Sequence, residues 1–570
     1  MGVTMNLFRL LRYLLPLQNP AGFGLSDFLL LGLAVLFAAA ILLRLPAERA
    51  LRQLSERPLR AGLLLAALPV ILRLLLLHNH PVPVPSVSDD FSYLLLGDTL
   101  AHLRLANPPH PMQRFFETVF VLQEPSYSSI YPPGQGIILA MGQWIFRSPW
   151  AGVVLSVGML CGLCYWMLLA WVPPVWAFAG GLLAVMEFGP LNQWMNNYWG
   201  GAVSGIAGCL VFGALPRLWK TARPRDAALL GLGLGLQVLT RPYESVLLSL
   251  CILPALWPAF RRNPRRLSGA AALALLPALL LTAAQNKAVT GSFTSLPYML
   301  SRQQYGIPAT FTFQKNPVPS RPLNQEQSMD YQAQNDVHGN QPETPARYLT
   351  RFAGRVKFFR FFFYPPLYIA LLFLLPELRR RRYLWAAGCV LLLALGTNFF
   401  PYYYPHYIAA ATCLCILLSI AGLRRLAALR IRGFATGQDA MRLVALFCGA
   451  QFVFWYGVHL IGNDDLFIAT GPFESWDYIN FGDAESRSAV NRRLAAEPGR
   501  QLVFVRYSPQ HLLREWVHNA ADIDASPVVW ALDLGNEENA RLRQYYPARK
   551  AWLIEPDVHP PRLRPYPDLP

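Results

Sequence analysis

Two adjacent carboxylates, Asp89 and Asp90, stand in the run Ser88-Asp89-Asp90-Phe91-Ser92-Tyr93, just beyond an apolar stretch, Ala61 to Leu77, that reads as a membrane-spanning helix. Ionised carboxylates in hydrocarbon are costly, so the pair must lie at the water interface or line a polar cavity. Either place suits chemistry on a substrate whose tail stays in lipid. On a helix Asp89 and Tyr93, four apart, share a face. The apolar spacing from Leu94 to Leu103, interrupted by Asp98 and His102, continues the pattern of an amphipathic helix lying at the outer interface. The plainer account is a surface helix whose acids merely face water. Against it stand Glu124, Tyr127 and Tyr131-Pro132-Pro133-Gly134, and the later group Asn192, Trp194, Asn196, Asn197, Tyr198 and Trp199. Rings stack on the apolar faces of a sugar while amides bond its hydroxyls. Interfacial belts also collect Trp and Tyr, so the rings alone decide nothing.

The elements that position these residues are membrane helices. The chain has 570 residues, is 54% hydrophobic and only 15% charged, and its apolar residues fall in runs too long for one soluble core. Its net charge of +17 would suit nucleic acid, but the arginines cluster in short linkers between apolar runs, where they orient helices instead. No nucleic-acid partner is expected. All eight cysteines fall inside apolar runs, Cys161 and Cys164 included, so they read as small buried hydrophobes and not as disulfides or zinc ligands.

The arginine-rich linkers Arg44 to Arg60, Arg217 to Arg225, Arg261 to Arg266, Arg379 to Arg382 and Arg424 to Arg432 are assigned to the cytoplasm by the positive-inside rule. About twelve spans follow: 26–44, 61–78, 150–171, 174–190, 200–216, 226–240, 244–260, 267–284, 361–377, 383–399, 405–423 and 441–461. The short run Gly134 to Phe146 is read as a helix lying in or dipping into the outer surface, which makes 79–149 one large external loop. A second external loop, 285–360, closes with Arg347, Arg351, Arg355, Lys357 and Arg360 at helical spacing, suited to anionic lipid head groups or to phosphate. The first segment, 1–25, reads as an uncleaved interfacial helix ahead of the bundle 26–461. Beyond Ile461 the composition turns to that of a soluble domain holding about half of the acids. Its alternation of Ser486 to Glu497, Gln501 to Val505, Pro509 to Ala520, Val528 to Leu532, Asn536 to Tyr546 and Ala551 to Ile554 predicts a small extracytoplasmic α/β domain, 462–570, with a parallel sheet. It has neither a phosphate-binding glycine loop nor a nucleophile elbow, and reads as a binding or packing module. The fold class expected is therefore mainly α: a polytopic membrane bundle with external juxtamembrane helices and this α/β tail.

Over residues 60–300 the chain resembles the C-type glycosyltransferases, and more narrowly the branch of protein O-mannosyltransferases and lipid A aminoarabinose transferases. The likeness is carried by Asp89-Asp90-x-x-Tyr93 in the first large external loop, by Tyr131-Pro132-Pro133 before a short apolar helix, and by Thr240-Arg241-Pro242 at the outer end of a later span. It implies a polyprenyl monophosphate sugar as donor and matches Asp89 to the catalytic carboxylate of the family. The chain departs from the family where aminoarabinose transferases carry Glu-Lys and it has Tyr131-Pro132. It departs again where many members have an Asp and it offers Asn196 and Asn197. Both changes remove charge, and they leave the donor and any divalent metal open, because amides bind a hard cation more weakly than carboxylates do.

In this reading Asp89 takes the proton of an acceptor hydroxyl, with Asp90 as its orienter, while the sugar's anomeric carbon is attacked and inverted. Tyr93, Tyr131, Asn196 and Asn197 line the sugar. The departing lipid phosphate needs fixed cations, for which Arg241, Lys287, Arg302 and His406 are available on the outer side; Glu244 pairs with Arg241. The acceptor is a lipid, a glycan or a protein, and the site would sit on the outer face of a bacterial inner membrane. The alternatives are a transporter or flippase for a lipid-linked substrate and a sensor or scaffold. The chain has no convincing internal repeat and few buried acids of the kind that couple ion flow, which counts against the transporter.

Overall fold

The computed structural model describes residues 52–464, 467, 486–511 and 514–566. The expected interfacial segment 1–25 and the first span, 26–44, lie outside the described residues. Helices of eight residues or more are numbered in chain order: α1 Pro58–Leu75, α2 Ser88–Ala101, α3 Pro133–Phe146, α4 Pro149–Leu168, α5 Pro174–Phe188, α6 Ala202–Thr221, α7 Pro224–Thr240, α8 Pro242–Phe260 and α9 Pro264–Thr290. They continue as α10 Pro297–Tyr305, α11 Gln325–His338, α12 Pro345–Arg355, α13 Arg381–Thr397, α14 Thr412–Ala427, α15 Thr436–Ile461, α16 Arg487–Ala496 and α17 Asn536–Tyr545. Proline sits in the first turn of α1, α3, α4, α5, α7 and α9, where its missing N–H is an orphan donor in any case and its fixed φ already suits a helix.

The molecule is a membrane helical bundle. Among the described residues six helices are long and apolar enough to cross a bilayer: Pro58–His78, Pro149–Leu168, Ala202–Thr221, Pro264–Thr290, Pro405–Ala427 and Thr436–Ile461. They divide by burial. The most apolar window of Pro405–Ala427 is 94% enclosed by protein, whereas that of Pro264–Thr290 is only 11% enclosed and turns Leu273 and Leu280 outward. A helix that is apolar all round and covered by protein on one side alone presents its other side to lipid. Close helix crossings depend on glycine: a Cβ at Gly208 of α6 would lie 1.9 Å from the Ala410 carbonyl oxygen.

Four other expected spans form shorter or proline-bearing helices: α5 with 15 residues, α7 and α13 with 17 each, and α8 with 19 that include Pro254 and Pro258. The expected span 361–377 is not one helix. A 3₁₀ segment Val356–Phe362, a six-residue helix Leu367–Leu372 and a 3₁₀ turn Leu375–Arg379 replace it, with a bend of 114° between the two halves. Pro365, Pro366 and Pro376 remove three backbone donors, so the helical ladder cannot run through.

The tail contains a four-stranded sheet, and a two-residue ladder lies in the loop between α2 and α3. In chain order the strands are β1 Val121–Leu122, β2 Ser128–Ser129, β3 Arg500–Val505, β4 Val528–Leu532, β5 Arg549–Glu555 and β6 Arg562–Pro565. The sheet order is β4-β3-β5-β6, with β3 parallel to both neighbours and β6 antiparallel at one edge. The parallel core matches the sequence expectation; the edge strand was not foreseen. Apolar side chains cover both faces, as a parallel sheet requires. Leu502, Phe504, Val529 and Leu553 pack on Phe115, Phe116 and Tyr127 of the 103–130 loop, and Val503, Trp530 and Ile554 pack under Leu494 and Trp516. The expected helix Pro509 to Ala520 is absent among the described residues of that segment, which run as loop. Tertiary contacts hold them instead. His511 lies 2.5 Å from Asp557 and 3.3 Å from Glu326 of α11, and the Tyr127 hydroxyl donates to the Asn519 carbonyl at 3.0 Å.

Candidate active site

The site is assembled where the starts of α2 and α3, the α7–α8 junction and the segment leading into α14 meet. Glycine makes this meeting possible. A Cβ at Gly134, in the first turn of α3, would come within 2.5 Å of the Thr240 hydroxyl and 2.8 Å of the Leu239 carbonyl, so the end of α7 lies directly on the start of α3. Gly97 and Gly136 likewise let α2 and α3 cross, each facing a leucine of the other helix, Leu139 and Leu96. Arg241 is thereby brought to the residues around Asp89.

The chain between α1 and α2 is held by Arg73. Its guanidinium donates to Asn196 Oδ1 at 2.7 Å and to the carbonyls of His80 and Pro81 at 2.9 and 3.0 Å, and lies over the Trp150 ring at 4.8 Å. Asp90 continues the clamp. It accepts from the Tyr198 N–H at 2.9 Å and from the Ser86 N–H at 3.2 Å, while the Tyr198 hydroxyl reaches the Pro83 carbonyl at 2.9 Å. Burial pushes the Asp90 carboxyl up to about 7, against the pull of those two N–H donors. Both of its oxygens are occupied by backbone.

Asp89 faces the opposite way. It accepts a hydrogen bond from the Tyr131 hydroxyl, and the Tyr131 ring stacks on Tyr93 with centroids 4.2 Å apart and planes within 9°. Burial holds the Asp89 carboxyl above the usual carboxylate range, opposed by the Tyr131 hydroxyl and the Arg241 guanidinium and reinforced by Glu515. Arg241 lies over the Tyr407 ring at 5.0 Å and 3.9 Å from buried Glu244. Tyr404 and His406 stack with planes 6° apart, and Trp199 meets His406 edge-on at 4.8 Å. The result is a half-buried carboxylate and a guanidinium in one cluster walled by aromatic rings. A raised carboxyl beside a fixed cation suits proton abstraction next to a developing anion.

The other sequence candidates are placed as follows. Asn196 spends its side chain on Arg73 and on the Pro190 and Asn192 carbonyls, and Asn197 accepts from the Gly200 N–H at 3.1 Å. Both shape the turn that holds Asp90. Lys287 is exposed and donates to the Gly291 carbonyl at 2.7 Å, at the end of its own helix. Arg302 donates to the Pro308 carbonyl at 3.1 Å and lies over Tyr298 at 5.4 Å. The structure thus brings together Asp89, Tyr93, Tyr131, Arg241 and His406, but gives Lys287 and Arg302 local partners. In the basic series, Arg351 and Arg355 donate to the carbonyls of Asn398, Thr397, Phe400 and Pro401, so they fasten α12 to the turn after α13. The helix α2 is also more enclosed than the amphipathic interfacial helix expected. Phe91, Tyr93, Leu95 and Leu96 are all buried: Tyr93 and Leu96 pack into the core of the bundle, and the tail covers Phe91 and Leu95 on the other side.

Arg73, Tyr407 and Glu515 join the site from outside the sequence candidates. An arginine inside an apolar run was a usable signal for the first, and Tyr402-Tyr403-Tyr404-Pro405-His406-Tyr407 for the second; nothing near Glu515 marks it. Among the described residues no group of three or more His, Cys, Asp or Glu side chains converges as a metal site.

No protein-family model matches the chain, and no curated protein does. Among solved structures it is similar to ArnT from Cupriavidus metallidurans in the apo state, at 11% identity over 86% of this chain and 92% of that one, with a TM-score of 0.47. For ArnT bound to undecaprenyl phosphate the figures are 12%, 86%, 92% and 0.48. The oligosaccharyltransferase AglB from Archaeoglobus fulgidus, in complex with an inhibitory peptide and a dolichol-phosphate, is similar at 11% identity over 87% of this chain and 69% of that one, with a TM-score of 0.45.

Proposed function

We propose that this protein is a membrane glycosyltransferase that moves a sugar from a polyprenyl monophosphate donor to an acceptor hydroxyl at the outer face of the membrane. One observation carries the reading: Asp89, outside the spanning helices and held by Tyr131, shares a ring-walled cluster with the Arg241 guanidinium. The acceptor oxygen forms a bond to the anomeric carbon as the bond from that carbon to the phosphate oxygen breaks. The hydroxyl proton passes to Asp89, the configuration inverts, and the lipid phosphate leaves with its charge beside Arg241. Tyr93, Tyr131 and Trp199 supply faces for the sugar. The acceptor, whether lipid, glycan or protein, enters from the same side.

Washed membranes containing the full chain should transfer radiolabelled sugar from a polyprenyl phosphate donor into an acceptor fraction. Membranes that move the lipid-linked sugar across the bilayer without forming a new glycosidic bond would sink the reading in favour of a transporter. Orientation is tested separately. Gln325 and Glu537 are exposed on α11 and α17, and Ser268 is exposed near the start of α9. Cysteines at the first two are expected to react with an impermeant thiol reagent from outside, and one at Ser268 only after permeabilisation. The reverse pattern would put the site on the cytoplasmic face.

A further inference from the structure

We propose that the tail is part of the active site, and that Glu515 is a positioning residue that sets the placement and basicity of Asp89. This rests on the reading of Asp89 as the base. The residues of α2 divide by helical spacing. Asp89 and Tyr93 face the Tyr131–Arg241 cluster, whereas Ser88, Phe91, Leu95 and Asp98, at steps of three and four, form the opposite face. The 514–521 loop of the tail runs along that second face and is tied to it at three levels.

Glu515 accepts from the Ser88 hydroxyl, the residue directly before Asp89. The His518 ring lies flat on Phe91, with centroids 4.1 Å apart and planes within 7°. The Ala521 N–H donates to Asp98 Oδ2 at 2.7 Å. Glu515 is itself 5% exposed, and a buried carboxylate needs donors. It finds three: Ser88, the Thr118 hydroxyl at 2.9 Å and His518 Nε2 at 2.9 Å.

The placement has an electrostatic consequence. Ser88 is the first residue of α2, so Glu515 lies at the positive end of the helix, where a carboxylate is favoured. Its charge acts on Asp89 through the first turn. Among the described residues the other charged or titratable groups that face Asp89 are Tyr131 before α3, Arg241 at the α7–α8 junction, Tyr404 and Tyr407 before α14, Asp330 of α11, and Asp90 and Tyr93 of α2 itself. Arg241 draws the Asp89 proton off; Glu515 opposes it. The tail thus keeps Asp89 a stronger base than the bundle alone would make it.

The test uses the full chain in nanodiscs with a polyprenyl phosphate sugar donor, and measures transfer against pH per folded molecule. Glu515→Gln keeps size and part of the bonding but removes the charge. Its acid limb is expected to move to lower pH, with turnover near neutrality several-fold lower and donor KM little changed. A merely structural Glu515 would lower the melting temperature and leave the limb in place, and that result overturns the proposal. Should Glu515→Gln fail to fold, Ser88→Ala removes the direct tie while Thr118 and His518 still hold Glu515. Several-fold lower turnover at unchanged donor KM then supports the proposal, and wild-type turnover defeats it. Asp89→Asn separates the two claims. If it is inactive while Glu515→Gln behaves as wild type, the base stands and the positioning role falls. If Asp89→Asn is fully active, the base reading has failed.

Discussion

Asp89→Asn is expected to fold, insert and bind donor while losing sugar transfer by roughly 10²–10⁴-fold, the usual worth of a positioned base. Asparagine keeps the shape of the side chain and can still accept from the Tyr131 hydroxyl, but it cannot take a proton at neutral pH. In the wild type, burial holds the Asp89 carboxyl above the usual range, so the acid limb of the rate should lie above that of an ordinary aspartate. Below that limb Asp89 is protonated and cannot act; above it the rate should level off. Asp90→Asn is the informative control. Asp90 accepts from two backbone N–H groups, those of Ser86 and Tyr198, and an amide can satisfy only one of them with its oxygen. Leaving a buried donor open costs about 1–3 kcal/mol. That variant should show a lower melting temperature and folded yield, with turnover per folded molecule largely kept. Loss of all transfer in Asp90→Asn with Asp89→Asn active would place the base at the wrong member of the pair. Full activity in both would end the proposed mechanism.

Replacing Arg241 should act on the donor. A charge-assisted hydrogen bond to phosphate is worth about 1.5–3 kcal/mol, so Arg241→Ala is expected to weaken apparent donor affinity by roughly tenfold to a hundredfold. It has a second signature. Arg241 pulls the Asp89 carboxyl down, so its removal should move the acid limb to higher pH, opposite to the shift expected for Glu515→Gln. Arg241 also stands beside buried Glu244, and losing it leaves that carboxylate without its ion pair. Arg241→Lys therefore accompanies it: the charge stays, but the planar fork that grips phosphate is gone, and an intermediate loss of affinity is expected. Lys287→Ala should leave donor affinity near wild type, because its amine is exposed and bound to the end of its own helix. Equal affinities in all three variants and the wild type would remove Arg241 from the donor site.

What the membrane imposes as a solvent was legible in the residue order alone. Runs of apolar residues bounded by arginines or proline became helices, because every backbone polar group in hydrocarbon must be satisfied within the segment. The apolar runs Leu502–Val505 and Val528–Leu532 became the buried strands of a parallel sheet, since a sheet covered on both faces needs no alternation. The acidic pair and Tyr131 were legible because charge beside an apolar run is costly without a reason. Pro365-Pro366 was equally visible, yet hydropathy outweighed it in the span expected at 361–377. Which candidate cations approach Asp89 depends on long-range packing. Arg241 reaches it because Gly134 lets α7 end directly on α3, a contact between positions 106 residues apart that no local spacing records. Asn196 and Asn197 look like sugar-binding amides by type, but a long-range contact assigns Asn196 to Arg73 and a local one assigns Asn197 to its own turn. The 509–520 segment has helical periodicity, but two buried histidines and Glu515 find better partners on α2, α11 and the 103–130 loop than the helix would offer. Local propensity is worth tenths of a kcal/mol per residue, and leaving a buried charged group without its partners costs more, so the tail loop follows its contacts rather than its pattern.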